Sequence, residues 1–290
     1  PRPSRDADTL YGHCLRAINL TLRRRGHHGL PRMGTGDWND GLSAVGPRKR
    51  GESVWLGFFL YHVLTGFADL AGRKEGEPAR ERLLRKAHSL RRALSSMLRG
   101  KRFVRAVMDS GKEMLFADAL TSSWSAISGA ADFETGLAAV EDGLAELEKE
   151  NLVLLLTPAF DENSAPYPGR LAEYPPGVRE NGGQYSHGSS WLVDALVKLG
   201  DEAAAADWPE EAARLRSRAL AVWTKISPLA HCTPEEINRY GLPPHQQPAG
   251  IAYGPGYEGR GGWAWYTGAA ARMLHAAHAQ IGRASCRERV

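Results

Sequence analysis

Apolar residues recur at helical spacing along most of the chain. The segment 9–25 places an apolar residue at every fourth position, which predicts a helix with one apolar stripe. The segment 52–70 is apolar nearly all round, as is typical of a buried helix, whereas 78–98 is amphipathic and basic. Further helices are predicted for 118–130, 132–150, 189–199, 208–223, 233–240 and 263–281.

Long loops join these helical segments. The loop from 157 to about 183 is rich in proline and glycine, and such long loops inside compact domains usually have a function. No repeat of fixed sequence period is visible, which disfavours a solenoid. We therefore predict an all-α fold, in which helix pairs are wound into a toroid and the loops gather at one end.

The composition is that of an ordinary globular protein. Of its 290 residues, 42% are hydrophobic and 24% are charged. No uninterrupted apolar run approaches the length of about 18 residues that a membrane span needs, and no signal-peptide pattern is visible. The three cysteines are far apart and odd in number, which favours free thiols. We expect a cytoplasmic protein without membrane contact.

Both ends of the chain bear on its interpretation. It begins at Pro1 without a methionine, so we expect a part of a longer protein. Residues 283–290 break an alanine-rich helical pattern and are predicted to be a non-native tail. Without the three arginines and one glutamate of that tail, the net charge falls from +4 to +2. Because the arginine-rich helical segments also lack interleaved aromatics, no nucleic-acid partner is predicted.

The segment 34–41, GTGDWNDG, carries the most distinctive chemistry. Its glycines permit tight turns and close approach of a ligand. The Trp38 indole offers a flat apolar face to a pyranose ring, and a carboxyl group can donate a proton to a glycosidic oxygen. We predict that Asp40 is this donor. A capped surface turn is the alternative, since Asp, Asn and Gly dominate turns.

Two further loops each precede a predicted helix. In 178–188 the imidazole of His187 stands near a helix N-terminus, where backbone amides and the helix dipole favour an anion. A capping or core histidine is the alternative. In 259–268 the hydroxyl of Thr267 is placed to reach a phosphate, while Trp265 is predicted to pack.

No metal site is predicted. His27 and His28 are adjacent and cannot share one face of an element. His275 and His278 are three apart on a helix but lack carboxylates at ligand spacing.

Together and in this order, these segments resemble the inverting disaccharide and oligosaccharide phosphorylases of glycoside hydrolase family 94. The likeness covers about residues 9–281 and is carried by the motifs at 36–41, 51–55, 179–187 and 261–268. Within the family, the segment 174–185, YPPGVRENGGQY, is most similar to the phosphorylase module of cyclic β-1,2-glucan synthases. The segment 243–250 departs from the usual family sequence, which bears on acceptor specificity.

The resemblance implies an (α/α)6 barrel, of which residues 1–282 would be the later part, with a β-sandwich domain and early barrel helices upstream. It implies an oligosaccharide substrate with inorganic phosphate as co-substrate, no cofactor, and a further phosphate-binding arginine upstream; a homodimer stays open. The implied site has Asp40 as general acid, Trp38 as sugar platform, Asp37, Asn39, Glu180 and Gln184 as sugar contacts, and His187 and Thr267 as phosphate ligands.

The implied reaction needs one carboxylic acid only. Phosphate is already an anionic nucleophile, so it would attack the anomeric carbon while Asp40 protonates the leaving oxygen, giving α-glucose 1-phosphate from a β-glucoside. Two other functions stay open. An inverting hydrolase would need a second carboxylate, such as Glu180, as the base that activates water. A non-catalytic module would bind glucan without cleaving it.

Overall fold

The computed structural model describes residues 7–265 and 267–281, so the predicted tail 283–290 lies outside the described residues. Helices dominate the described chain. Their bounds are Leu10–Arg23 (α1), Val54–Glu75 (α2), Glu77–Ser95 (α3), Ala119–Ile127 (α4), Phe133–Leu147 (α5), Ser186–Ala205 (α6), Pro209–Ile226 (α7), Ile237–Tyr240 (α8) and Gly268–His275 (α9).

The helices pack as pairs in two layers. Helix α2 packs against α3, α4 against α5, and α6 against α7. The first helices of these pairs also contact one another in turn, since α2 touches α4, α4 touches α6, and α6 touches α9. The first helices therefore form one layer and their partners the other, and the coarse prediction of a helical fold built from helix pairs is confirmed.

Burial follows the two layers. In α4 every residue except Ile127 is buried, because this helix is enclosed by α2, α5 and α6. In α3 the buried residues, Ala79, Leu83, Ala87, Leu90 and Leu94, recur every three or four positions along one face. The remaining face of α3 carries arginines and lysines, which explains its basic, amphipathic sequence.

Helix α2 is the most apolar of the long helices. Among the described helices it alone has the length and composition that would allow it to cross a membrane, and half of its apolar window is buried inside the protein. Phe58 and Leu64 are fully buried in the main core cluster. These contacts are those predicted for a buried core helix.

The described residues also form nine short strands of two residues each, which were not predicted. They pair as Glu52–Ser53 (β1) with Ala106–Val107 (β4), β4 with Glu113–Met114 (β5), Leu98–Arg99 (β2) with Arg102–Phe103 (β3), Ala117–Asp118 (β6) with Leu156–Thr157 (β7), and Gln184–Tyr185 (β8) with Gly250–Ile251 (β9), all antiparallel. Three of them, β1, β6 and β8, end directly before α2, α4 and α6. Strand pairing therefore fixes where each helix of that layer begins.

The last helix begins five residues later than predicted. The segment from 263 was expected to be helical, but α9 begins only at Gly268. Just upstream, Gly261 N donates to Tyr240 O at 2.9 Å and Gly262 N donates to Gly250 O at 2.8 Å. Because these amides are used in contacts with distant segments, the chain here is extended. The helix predicted for 233–240 is likewise reduced to Ile237–Tyr240.

Candidate active site

The acidic loop, residues 36–41, is closed by its own side chains. Asp37 Oδ1 accepts a hydrogen bond from Asn39 N at 3.0 Å, and Asn39 Oδ1 accepts one from Gly41 N at 3.1 Å. Gly36 has a φ of 142°, and a Cβ there would lie 2.7 Å from Asp40 Cα. The loop is thus a tight turn in which glycine at position 36 is required for close approach to Asp40.

Asp37 is the centre of a buried ionic network. Arg105 Nη1 and Nη2 donate to its two carboxylate oxygens at 2.7 and 2.8 Å, and Ser53 Oγ donates at 2.6 Å. The side chains of Asp37 and Arg105 are both 0% exposed, and Arg105 Nε also lies 3.3 Å from Asp118 Oδ1. Burial opposes the guanidinium charge, but the two carboxylates raise the pKa of Arg105 above its usual value. The guanidinium is therefore charged.

This network ties the acidic loop to two helices. Ser53 is the N-cap of α2, and Asp118 is the N-cap of α4, where its carboxylate accepts from Thr121 N. Burial raises the pKa of Asp118, while the adjacent Arg105 opposes that rise. The position of the acidic loop is consequently coupled to the starts of α2 and α4.

Three of the predicted sugar contacts lie inside the protein. The carboxylate of Asp37 is enclosed as described, and Asn39 is 2% exposed with its side chain turned to the loop backbone. Gln184 is 0% exposed, and its Oε1 accepts from Val153 N at 3.1 Å. In this structure all three side chains are bonded within the protein: Asp37 to Arg105 and Ser53, Asn39 to Gly41 N, and Gln184 to Val153 N. Their predicted role as sugar contacts stays a prediction.

Asp40 has the opposite environment from Asp37. Its side chain is 81% exposed, and its one ion pair among the described residues is with Arg170 Nη2 at 3.5 Å. Arg170 belongs to the 3-10 turn Arg170–Glu173, which docks on the acidic loop through Leu171 N donating to Gly41 O at 2.8 Å. The Asp40 carboxyl group is therefore open to a ligand.

Trp38 connects the acidic loop to the start of α6. Its ring centroid lies 5.6 Å from that of Tyr185, 5.5 Å from His187 and 5.3 Å from Trp191. Gly188 leaves room for this packing, since a Cβ there would lie 2.3 Å from Leu155 Cδ1 and 3.3 Å from the Trp38 ring. The predicted sugar platform is thus adjacent to the predicted phosphate ligand His187.

A cleft of about 860 Å³ contains both predicted phosphate ligands. His187 and Thr267 line it, together with Arg179, Tyr185, Arg260 and Trp263. The starts of α6 and α9 meet there, because a Cβ on Gly268 would lie 3.4 Å from His187 Nδ1. Asp40 is not among its lining residues, although Trp38 of the same loop touches its wall at Tyr185 and His187.

The two helix starts differ in how their amides are capped. Thr267 Oγ1 accepts from Ala269 N at 3.1 Å, which leaves the hydroxyl proton free to donate to a ligand. At α6 the N-cap residue Tyr185 provides no side-chain hydrogen bond. Helix N-termini of this kind attract anions through free amides and the helix dipole.

The surroundings of His187 favour its neutral form. Burial lowers its pKa, and the positive charge of Arg272 lowers it further. Arg272 forms an ion pair with Asp194, which links α9 to α6 behind the cleft. A neutral imidazole can donate one N–H to an anion, so this environment is compatible with the predicted phosphate contact.

Two polar atoms near the cleft have unfilled hydrogen-bonding capacity. Glu180 has a side chain that is 12% exposed and lies 3.3 Å from Arg179 Nε, yet its Oε2 has no hydrogen-bond partner among the described residues. Gln247 Nε2 likewise has no hydrogen-bond partner among the described residues. Gln247 precedes the cleft residue Ala249 by two positions. Because buried polar atoms are normally paired, both atoms retain capacity for a further hydrogen bond.

Several site residues were missed by the sequence analysis. Arg105 lies 68 residues from Asp37 along the chain, so no local motif reveals their pairing. Trp191 is buried against Trp38, and Arg260 lines the cleft. The packing role predicted for Trp265 is wrong, since this residue is 65% exposed. Trp263 is 64% exposed. Within 7–265 and 267–281 there is no cluster of metal-ligating side chains.

Comparisons with known proteins show the family to which the chain belongs. The family model described as the catalytic domain of the glycosyl hydrolase 94 superfamily matches residues 2–282. The cyclic beta-(1,2)-glucan synthase NdvB of Rhizobium meliloti (strain 1021) is 35% identical over 288 residues, covering 95% of this chain and 10% of that protein. Solabiose phosphorylase of Paenibacillus borealis is 30% identical over 290 residues, covering 93% and 34%.

The chain therefore spans about a tenth and a third of the lengths of these two relatives. Among solved structures, the unsaturated glucuronyl hydrolase of Bacillus sp. GL1 superposes with a TM-score of 0.53 at 15% identity, covering 92% of this chain and 68% of that one. That likeness concerns the fold alone. The sequence resemblance is confirmed by the family match, and the chain belongs to the glycosyl hydrolase 94 superfamily, whose catalytic-domain sequence it carries.

Proposed function

We propose that the chain is the catalytic part of an inverting glycoside phosphorylase, which cleaves β-linked glucosides with inorganic phosphate to give α-glucose 1-phosphate. The observation that carries this proposal is the meeting of His187 and Thr267 at the N-termini of α6 and α9 in one cleft. The helix termini, the Thr267 hydroxyl and the cationic side chains of Arg179 and Arg260 make this cleft suited to a phosphate dianion.

Asp40 is the proton donor in this proposal. It is the acidic-loop carboxyl group that is free of the buried network, and it lies two residues from Trp38, which would support the sugar ring. As phosphate oxygen forms a bond to the anomeric carbon, the bond from that carbon to the glycosidic oxygen breaks. The leaving oxygen takes the proton of Asp40, as general acid catalysis requires.

The surroundings of Glu180 favour phosphorolysis over hydrolysis. An inverting hydrolase needs a second carboxylate that activates water from the opposite face of the sugar. Glu180, the candidate base, lies in an ion pair with Arg179 at 3.3 Å. A bound phosphate needs no such base.

The relatives support a β-1,2-linked glucoside as the first substrate to test, with cellobiose-like disaccharides next. The cyclic beta-(1,2)-glucan synthase covers 95% of this chain at 35% identity, and the solabiose phosphorylase supports phosphorolysis within the same superfamily. The layered helix pairs fit part of an (α/α)6 barrel, in which the starts of α2, α4, α6 and α9 would surround the sugar.

The experiment is an assay of sugar release from β-1,2-gluco-oligosaccharides and from cellobiose, with and without phosphate, using the full-length protein. We expect glucose 1-phosphate only when phosphate is present, and none from the Asp40→Asn variant. Free glucose formed without phosphate would establish the hydrolase instead. If the unmodified protein and Asp40→Asn bind glucan with equal affinity and neither forms product, the chain is a non-catalytic binding module.

A further inference from the structure

A second pocket lies outside the cleft and shares no lining residue with it. Its volume is about 280 Å³, and it lies where the chain after α5 meets α8 and the loop before Arg260. Its lining includes polar and aromatic side chains, among them those of Asn151, Glu236, Arg239, Tyr240, Tyr253 and Glu258. Ligand sites for drug-sized molecules begin at about 300 Å³, so this pocket is suited to one small ring.

Tyr240 is the most unusual residue of this pocket. It is 1% exposed, and its hydroxyl has no hydrogen-bond partner in the part of the chain that the structure describes. Its ring is fixed by stacking on His231, with centroids 5.5 Å apart and planes 24° apart. Since buried hydroxyl groups are normally paired, an unpaired one on a residue that lines a pocket indicates a hydrogen-bond partner that the described residues do not supply.

The other polar groups provide both donors and acceptors. Asn151 Nδ2 donates to Glu236 Oε1 at 3.1 Å, which presents a fixed amide and carboxylate. Arg239 and Glu258 are exposed, and within 7–265 and 267–281 neither side chain forms an ion pair. Tyr253 contributes an aromatic ring, with Lys149 Nζ 5.9 Å from its centroid.

This combination favours a neutral polyhydroxylated ring over an anion. Three carboxylates, those of Glu150, Glu236 and Glu258, line the pocket against the two cations Lys149 and Arg239. A phosphate would therefore be repelled by more charges than attract it. A pyranose, in contrast, can use carboxylates as acceptors, the cations as donors and an aromatic ring as an apolar support.

The pocket and the cleft are separated by one stretch of backbone. Gly259 lines the pocket, whereas Arg260 and Gly261 line the cleft. Gly261 N donates to Tyr240 O at 2.9 Å, and a Cβ on Gly261 would lie 3.0 Å from Tyr240 Cε2. Tyr240 therefore supports the wall of the cleft from the side of the pocket.

We propose that this pocket is an accessory carbohydrate site that binds one pyranose unit, with the Tyr240 hydroxyl as a hydrogen-bonding group and the Tyr253 ring as its apolar support. Binding there does not depend on phosphorolysis in the cleft. A pocket that binds no sugar would therefore leave the proposed phosphorylase activity untouched, and loss of that activity would leave binding in the pocket untouched.

The test is isothermal titration of the full-length protein with methyl β-D-glucopyranoside, in the absence of phosphate. A Trp38→Ala background removes the sugar platform of the cleft, so that the remaining binding reports on the pocket. In that background Tyr240→Phe deletes only the orphan hydroxyl. We expect its dissociation constant to rise by about three- to tenfold, the effect of one net hydrogen bond, and Tyr253→Ala to raise it at least as much.

Tyr240→Phe also separates binding from folding. It keeps the ring that packs on His231 and Gly261, so the unfolding temperature should be unchanged or higher, because a buried unpaired hydroxyl is removed. Unchanged affinity for the glucoside in both variants would overturn the proposal. Binding of inorganic phosphate that is lost in Arg239→Gln would also overturn the proposal, because the pocket would then be an anion site.

Discussion

The acidic loop and the cleft that His187 and Thr267 line are positioned by different means. In the loop, the charges that fix the backbone are buried and paired, with Arg105 held between Asp37 and Asp118. In the cleft, helix starts are fixed by strand pairing and by capping, and polar groups such as the Thr267 hydroxyl retain capacity for a ligand. The side chains of the loop are paired with one another, whereas the Thr267 hydroxyl in the cleft can still donate a hydrogen bond.

The comparison is sharpest for two carboxylates three residues apart. The side chain of Asp37 is 0% exposed, and that of Asp40 is 81% exposed. The same residue type therefore serves opposite purposes, because one carboxylate is locked by a guanidinium and the other faces solvent. A substitution at Asp37 should affect stability first, and one at Asp40 should affect chemistry alone.

The largest expected effect is that of Asp40→Asn on catalysis. Loss of a general acid typically lowers kcat by about 10²- to 10⁴-fold. Because the side chain is exposed, the free energy of unfolding should change little. Initial rates of glucose 1-phosphate formation and urea unfolding curves measure the two quantities. The matched variant Asp37→Asn should be clearly destabilised; equal stability of the two variants would remove the distinction.

Arg105→Gln should destabilise the protein strongly. It leaves two buried carboxylates without their cation, and breaking a buried pair in this way costs about 3–5 kcal/mol. The control is Arg170→Gln, whose exposed pair with Asp40 should contribute less than about 1 kcal/mol. Urea unfolding curves of both variants give the change in the free energy of unfolding. A change in Arg105→Gln as small as that in Arg170→Gln would mean that the ionic network does not hold the acidic loop.

Gly36→Ala should lower activity through displacement of Asp40. An added Cβ would lie 2.7 Å from Asp40 Cα, and a misplacement of about 1 Å can cost about 10²-fold in rate. Gly34→Ala is the control, since its φ is also positive, at 65°, but no atom lies within 4 Å of the added Cβ. Comparable rates for the two variants would show that Asp40 does not depend on this contact.

The smallest expected effect is a pH dependence of stability at His187. Burial and Arg272 lower its pKa in the folded state, so the unfolded chain, with a pKa of about 6.5, binds the proton more readily. Stability should therefore fall as pH drops below about 6.5 through the lowered pKa, and His187→Gln should flatten that fall. The free energy of unfolding, measured between about pH 7.5 and 5, tests this expectation. Identical slopes of that free energy against pH in the unmodified protein and His187→Gln would contradict it.

The fold was predictable wherever the signal is local. Helical spacing of apolar residues gave the core helix α2 and the basic, amphipathic α3, because these patterns follow from burial of one or all faces. The two-residue strands β1, β6 and β8, which precede helices, were not predictable, since each pairs with a segment far along the chain, as Gln184 does with Ile251. The late start of α9 has the same cause.

For the site, residue types were more predictable than their roles. The loop chemistry pointed to Asp40, Trp38, His187 and Thr267, and the structure brings the last three to one region. The burial of Asp37 and Gln184 depends on Arg105 and Val153, which lie 68 and 31 residues away. No motif at 36–41 or 179–187 carries that information, so both were predicted as ligand contacts.

The most direct test of the division between the two regions is isothermal titration of inorganic phosphate into the full-length protein and its Asp40→Asn and His187→Ala variants. We expect equal phosphate affinity in the unmodified protein and Asp40→Asn. His187→Ala should bind phosphate about 10- to 100-fold more weakly, the loss of one hydrogen bond to a charged group. Unchanged affinity in His187→Ala, or loss of binding in Asp40→Asn, would contradict it.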